Sequence, residues 1–293
     1  MIFMKLNIDI FIQEELRKFT NKNFPKKYIS QYIIPIINNI YHSKKNKFIL
    51  SGSQGSGKST LGKLLKLVIE KYYKKKVMLL SIDDYYLSKN KRLKLSRNIH
   101  PLLLTRGVPG THDIKTLKYH INQFKNQNFP INTPTFNKLK DDISKKIKVI
   151  KNAQILLLEG WCCGSVPIAN QYLFKNINSL ENTLDKNKNW RKYYNSLLRN
   201  EYKSVFSMFD KKIYIQAPSF KYILKWRHAQ EKVNASKSNN KNFMNKAKLQ
   251  EFIQHYEKLT KWMMLTMPTK ADILIKIDIN QKIKKLLFKV DKF

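Results

Sequence analysis

A three-layer α/β/α fold around a mostly parallel sheet is predicted for this 293-residue chain by three features. Short apolar strands of the buried type alternate with helical stretches, the pattern of a sheet covered on both faces. A glycine-rich loop stands between the first of these strands and a helix. Two further strands end in carboxylates, at the edge where α/β sheets bind ligands. The organisation expected is a helical N-terminal extension over residues 1–45 and one α/β domain over 46–293, with no internal repeat or linker dividing it.

The extension reads as two amphipathic helices within residues 10–43, broken near Asn23-Phe24-Pro25, with a kink expected at Pro35. Lys47-Phe48-Ile49-Leu50-Ser51 forms the first strand, and after the loop a helix runs from Lys58 to about Tyr73. Val77 to Ile82 is a second buried strand, ending in Asp83-Asp84. Asp113 caps a helix that reaches about Phe124. Ile155-Leu156-Leu157-Leu158 is a third strand, ending in Glu159. A helical stretch over 190–209 precedes the strand Lys212 to Gln216, and Pro218-Ser219 opens a helix containing Trp226-Arg227. Residues 234–242 are polar and low in complexity and read as a mobile loop. A helix over 243–265 and a strand from Asp272 to Asp278 finish the pattern.

Composition sets limits. Hydrophobic residues make up 42% of the chain, enough to build a core and exclude general disorder. Lysines interrupt every stretch that approaches the roughly 20 apolar residues of a spanning helix. Asp9, Glu14 and Glu15 stand where an export signal would be uncharged, and Cys162 and Cys163 are adjacent, unsuited to a disulfide framework. A cytoplasmic location is expected. The net charge of +37 raises nucleic-acid binding. Yet only seven of the 57 basic residues are Arg, the side chain suited to bidentate phosphate and base recognition. Abundant Lys, Asn and Ile together point to an A+T-rich coding sequence, so nucleic acid is not the expected partner.

The eight glycines fall in or beside SGSQGSGKSTLG, RGVPG and EGWCCG, which suggests three site loops built from backbone. Gly52-Ser53-Gln54-Gly55-Ser56-Gly57-Lys58-Ser59 fits G-x-x-x-x-G-K-[ST] in the strand–loop–helix context of a P-loop (Walker A). These residues, with Thr60, are the expected ATP-binding segment. Lys58 neutralises the β- and γ-phosphates, and the Ser59 hydroxyl faces Mg²⁺. Asp83 is the candidate base for an acceptor hydroxyl, with Asp84 supporting the metal shell or capping the following helix. Glu159 is the expected second metal residue, holding Mg²⁺ directly or through water. An acceptor carrying a carboxylate needs a fixed cation, for which Arg106 is first choice and Lys138 second. Asp84, Tyr86, Arg106, His112 and Lys138 make up the expected acceptor-side set, although His112 also suits a helix-entry role. Trp161 reads as packing, and the two cysteines as buried thiols.

With those residues in place, the chain resembles the ATP-dependent D-glycerate 3-kinase family of P-loop kinases, in the branch that includes uridine kinase, phosphoribulokinase and bacterial pantothenate kinase. The resemblance runs from about Phe48 to Ile283 and rests on SGSQGSGKSTLG, SIDDYYL, HPLLLTRGVPGTHD, LLLEGWCCG, APSF followed by WRHAQEK, and FIQHYEKLTKWM leading into MPTKADILIKID. It implies ATP-dependent phosphorylation of a small hydroxylated acceptor, D-glycerate giving 3-phosphoglycerate. It also implies a catalytic set of Lys58, Asp83 and Arg227, with Arg227, Lys258 and Lys261 closing over the phosphates from lid-side helices. Asn137 and Ile143 stand where that family usually has Asp and Arg. A nucleoside, pantothenate or sugar kinase, a nucleic-acid-associated ATPase, and a decayed enzyme that only binds nucleotide remain the alternatives.

Overall fold

A computed structural model describes residues 2–237 and 246–289. Six strands form the central sheet: β1 (Lys47–Gly52), β2 (Val77–Ser81), β3 (Ile155–Gly160), β4 (Lys211–Gln216), β5 (Ile273–Ile277) and β6 (Ile283–Phe288). Their order is β6-β5-β4-β1-β3-β2, parallel throughout except for β6, which pairs antiparallel with β5. Alternation within strands explains why the buried stretches of the central strands read as continuously apolar. Phe48, Leu50, Leu157, Ile213 and Ile215 enter one hydrophobic cluster, while Ile49, Leu156, Leu158 and Tyr214 enter another on the opposite face.

The first face is covered by the helix Lys58–Tyr72 and the N-terminal helices. Ile8, Ile12 and Leu16, spaced four apart on the helix Ile2–Thr20, are buried in the same cluster as Leu64 and Val68. That helix begins earlier than residue 10 and stops where Asn21 takes a positive φ of 55°. The expected irregularity near Pro35 takes the form of a π-helical turn at Ile29–Ile33, just before the proline that cannot donate a backbone hydrogen bond.

The other face carries Ile114–Lys125, which Asp113 caps through its side chain to Thr116 N, and the long helix Lys246–Lys270. Three boundaries differ from the sequence reading. β2 ends at Ser81, so Ile82–Tyr85 is a 3-10 turn that carries both aspartates out of the sheet. Residues 234–237 continue the helix Phe220–Lys237 rather than joining a loop, and residues 238–242 of the expected loop lie outside the described residues. β6 was unexpected because lysines interrupt its apolar pattern, as suits a sheet edge. Two small hairpin pairings, Ile131–Thr133 with Lys148–Ile150 and Phe136–Asn137 with Asp142–Ile143, form a flap against the turn Ile82–Tyr85. No helix among the described residues is long and apolar enough to cross a membrane.

Candidate active site

β1 delivers the chain into the loop Gly52–Ser59, and Gly57, at φ 88°, turns it into the helix that Lys58 opens. The loop is braced from two sides. Gln281 donates from Nε2 to the carbonyl of Gly55 at 2.5 Å. The helix Phe220–Lys237 passes so close that a Cβ on Gly55 would lie 2.8 Å from the Cβ of Trp226 and 3.8 Å from the backbone nitrogen of Arg227. The backbone of Arg227 thus passes next to the loop. Three buried polar atoms of the loop, Ser53 Oγ, Gln54 Nε2 and Ser56 Oγ, have no hydrogen-bond partner among the described residues. Buried donors are normally satisfied, so this cluster at a helix N-terminus fits a ligand rich in oxygen.

Glu159 is the penultimate residue of β3, paired in register with Leu50 of β1 and Ser81 of β2. Its Oε1 accepts from the Ser59 hydroxyl at 3.1 Å and the Ser81 hydroxyl at 2.8 Å. Its Oε2 is buried without a partner among the described residues. A carboxylate oxygen left over beside a P-loop serine fits Mg²⁺, which usually takes one or two carboxylates and completes its shell with phosphates and water. No cluster of three or more His, Cys, Asp or Glu side chains able to hold a metal by themselves occurs among the described residues.

Asp83 lies across β3 from the loop. Its Oδ1 accepts from the Tyr86 hydroxyl at 3.1 Å and its Oδ2 from Lys138 Nζ at 2.6 Å. Burial pushes this carboxyl up, but the ammonium groups of Lys138 and Lys58, the hydrogen bond from Lys138, and His112 outweigh burial and hold it at about 2. Lys58 and Asp83 are therefore within electrostatic reach of each other. His112 stacks on Tyr86 with centroids 4.5 Å apart, and burial pushes its pKa down to about 4 against the opposing pull of Asp83. Cys162 and Cys163 are free and fully buried, and burial raises both thiols.

The remaining expected residues are placed differently. Arg106 donates to Asp141, and its guanidinium lies over the Phe136 ring at 5.6 Å. Asp141 also pairs with Arg92 at 2.9 Å, so Arg106 is tied to the flap. Asp84 holds the flap too: Oδ1 accepts the N–H of Phe136 at 3.2 Å and Oδ2 accepts from Lys148 at 2.8 Å. Both oxygens are thus taken up by the flap rather than by a helix N-terminus. Asn137 accepts two backbone N–H groups, from Leu139 and Lys140, shaping the turn that presents Lys138. Ile143 is exposed on the flap. Lys258 does not close over phosphates. It is 2% exposed, donates to the carbonyls of Tyr172 and Lys175, and pairs with Glu181 at 3.3 Å. Lys261 pairs with Glu257 on its own helix.

Two site residues escaped the sequence reading. Tyr256 donates from its hydroxyl to the carbonyl of Arg106 at 2.7 Å, and Tyr202 touches both Gly110 and His112. Each comes from a helix far along the chain, and an isolated tyrosine in a helix gives no signal of its destination.

No family model matches the sequence. A Schizosaccharomyces pombe protein named the uncharacterized kinase mug58 is 29% identical over 223 residues, 71% of this chain and 76% of that one. The solved structure of the YGR205w protein superposes with a TM-score of 0.65 at 26% identity, covering 91% of this chain and 97% of that chain. The chain has the fold of the P-loop kinases and is an ATP-dependent kinase. This kinase also shares its fold with D-glycerate 3-kinase from Cryptococcus neoformans, at a TM-score of 0.68 and 21% identity over 98% of this chain and 99% of that one. ATP is its substrate, and the acceptor is a small molecule.

Proposed function

We propose that the kinase transfers the γ-phosphoryl group of ATP to a hydroxyl of a small anionic acceptor, with D-glycerate giving 3-phosphoglycerate the leading candidate. The observation that carries this reading is Asp83, ionised and held between the Tyr86 hydroxyl and Lys138 within electrostatic reach of Lys58. Such a carboxylate can orient an alcohol and take its proton as the phosphoryl group arrives. In that step the acceptor oxygen bonds to phosphorus, the bond from the γ-phosphorus to its bridging oxygen breaks, ADP leaves, and the hydroxyl proton passes to Asp83.

Lys58, the helix N-terminus and the unpartnered donors of the loop would bind and orient the phosphates, with Arg227 beside them. Ser59 and Glu159 would hold Mg²⁺, which when bound neutralises phosphate charge. Support for an anionic acceptor comes from the flap. Lys138 is 60% exposed on its turn, so it can exchange Asp83 for an incoming carboxylate without crossing a packed core. Arg106, fixed to Asp141, steadies the same flap. The motif resemblance and the shared fold with D-glycerate 3-kinase favour glycerate over a nucleoside, pantothenate or sugar.

The test is ATP-dependent product formation over a panel of these acceptors, with the phosphate position in the D-glycerate product assigned by NMR. Asp83→Asn should lower transfer by about 10²- to 10⁴-fold while ATP binding persists. Turnover of the variant equal to wild type would remove Asp83 as the base.

A further inference from the structure

His112 and Tyr202 flank the reacting region and take no part in the transfer step above. His112 is 5% exposed, stacks on the ring whose hydroxyl donates to Asp83, and bridges backbone with that same Tyr86. Its Nδ1 lies 2.7 Å from the Tyr202 hydroxyl. Its Nε2 is buried without a hydrogen-bond partner among the described residues. The Tyr202 oxygen, itself buried, accepts the N–H of Gly110 at 2.9 Å.

These contacts fix where the protons are. A neutral imidazole carries one proton, on one nitrogen or the other. Gly110 can only donate, so it occupies a lone pair of the Tyr202 oxygen and leaves the phenol proton seeking an acceptor. The acceptor present is Nδ1. Were Nδ1 protonated instead, two N–H groups would converge on one oxygen and the buried phenol proton would have nowhere to go, a costly arrangement. Tyr202 therefore donates, Nδ1 accepts, and the histidine proton resides on Nε2. Burial keeps the ring neutral, so it supplies a directed N–H without adding a cation next to Asp83.

We propose that Tyr202 is a positioning residue that holds His112 in the Nε2–H tautomer, and that this N–H donates to an oxygen of the acceptor adjacent to the hydroxyl that meets Asp83. The second half rests on the reading of Asp83 as the proton acceptor. The ligand chemistry required is an oxygen lone pair next to the reacting alcohol, supplied by a carboxylate or a second hydroxyl. A mono-alcohol lacks it and loses this contact.

Nitrogen-15 NMR of the full chain, labelled at histidine, reads the tautomer without turnover. Wild type should show unprotonated Nδ1 and protonated Nε2 for His112, and the Nε2 resonance should move on adding D-glycerate. Tyr202→Phe should give a mixture of tautomers. Kinetically, His112→Gln, whose amide reaches the Nε2 position, should keep the acceptor KM within about threefold. His112→Asn, which reaches only the Nδ1 position, should raise it roughly tenfold with the ATP KM unchanged. A wild-type proton on Nδ1, an unchanged tautomer in Tyr202→Phe, or equal acceptor KM values for the Gln and Asn variants each overturn the proposal. Failure of the whole acceptor panel instead removes the function proposed above, and the NMR result still decides the tautomer.

Discussion

Replacing Lys138 by Met tests the ion pair at the centre of the site. Asp83 is held at about 2, against roughly 3.9 for an ordinary aspartate. Burial opposes that depression, and Lys138 leads the groups that produce it, through its charge and its 2.6 Å hydrogen bond. The lysine is 60% exposed, so solvent screens the pair and its worth is about 0.2–1 kcal/mol. At about 1.4 kcal/mol per pKa unit, losing it raises the Asp83 pKa by a fraction of a unit, on the order of 0.2–0.7. The pair also stabilises the fold. A depressed carboxyl contributes stability above its unfolded pKa and loses it as pH falls through roughly 4 towards 2, so the variant is slightly less stable at neutral pH and equal in strong acid.

The assay is the acid limb of kcat/KM for the acceptor, which reports groups of the free enzyme. An acidic acceptor titrates in the same range, but identically for both proteins, so the difference between the two profiles belongs to the enzyme. Lys138→Met should move the limb upward and raise the acceptor KM, and Lys138→Arg should restore most of both. An acid limb that stays in place in the Met variant would refute the claim that Lys138 sets the charge of Asp83.

Glu159→Gln should weaken nucleotide binding in the presence of Mg²⁺ and change it little without Mg²⁺, as measured by calorimetry under both conditions, because the lost charge belongs to the oxygen assigned to the metal. Lys258→Met should lower stability by about 3 kcal/mol in denaturant unfolding, since it removes the nearer of the two cations that face the buried Glu181 and leaves Arg191 at 3.5 Å beside the Ile177 N–H. A lid role predicts the opposite pattern: unaltered stability with a raised ATP KM. Tyr256→Phe should raise the acceptor KM a few-fold through loss of its hydrogen bond to the Arg106 carbonyl, and leave the ATP KM alone.

The core of this fold was legible because a strand buried on both faces needs a run of consecutive apolar residues, and each of β1, β2, β3, β4 and β5 carries a run of at least three. β6 and the flap were not, since short exposed strands carry lysines and obey no such constraint. The nucleotide side of the site was legible for a related reason. Gly52–Ser59, Asp83 and Glu159 all sit at strand ends or in a loop of fixed spacing, so local sequence determines their placement. The acceptor side depends on long-range packing. Arg106 looked like a free cation and pairs with Asp141, whereas Lys138, second choice, is the one that reaches Asp83. Lys258 carries the same charge as a lid lysine would, and the buried Glu181, 77 residues earlier in the chain, diverts it together with the carbonyls of Tyr172 and Lys175.

The same reasoning bears on the net charge of +37. Arginine would have to supply most specific phosphate or base recognition, yet Arg191 is fully buried on Asp185 and Glu181, Arg92 is buried on three carbonyls and Asp141, and Arg106 is tied to Asp141. Three of the seven arginines are thus internal struts, leaving lysine as the bulk of the surface charge. Exposed lysine attracts polyanions weakly and without geometry. It also draws small anions toward the site, where Asp83 repels them until Lys138 or the P-loop neutralises the approach. That balance favours an acceptor with one compact negative charge: enough to recruit Lys138, too little to be held at the surface by lysines alone.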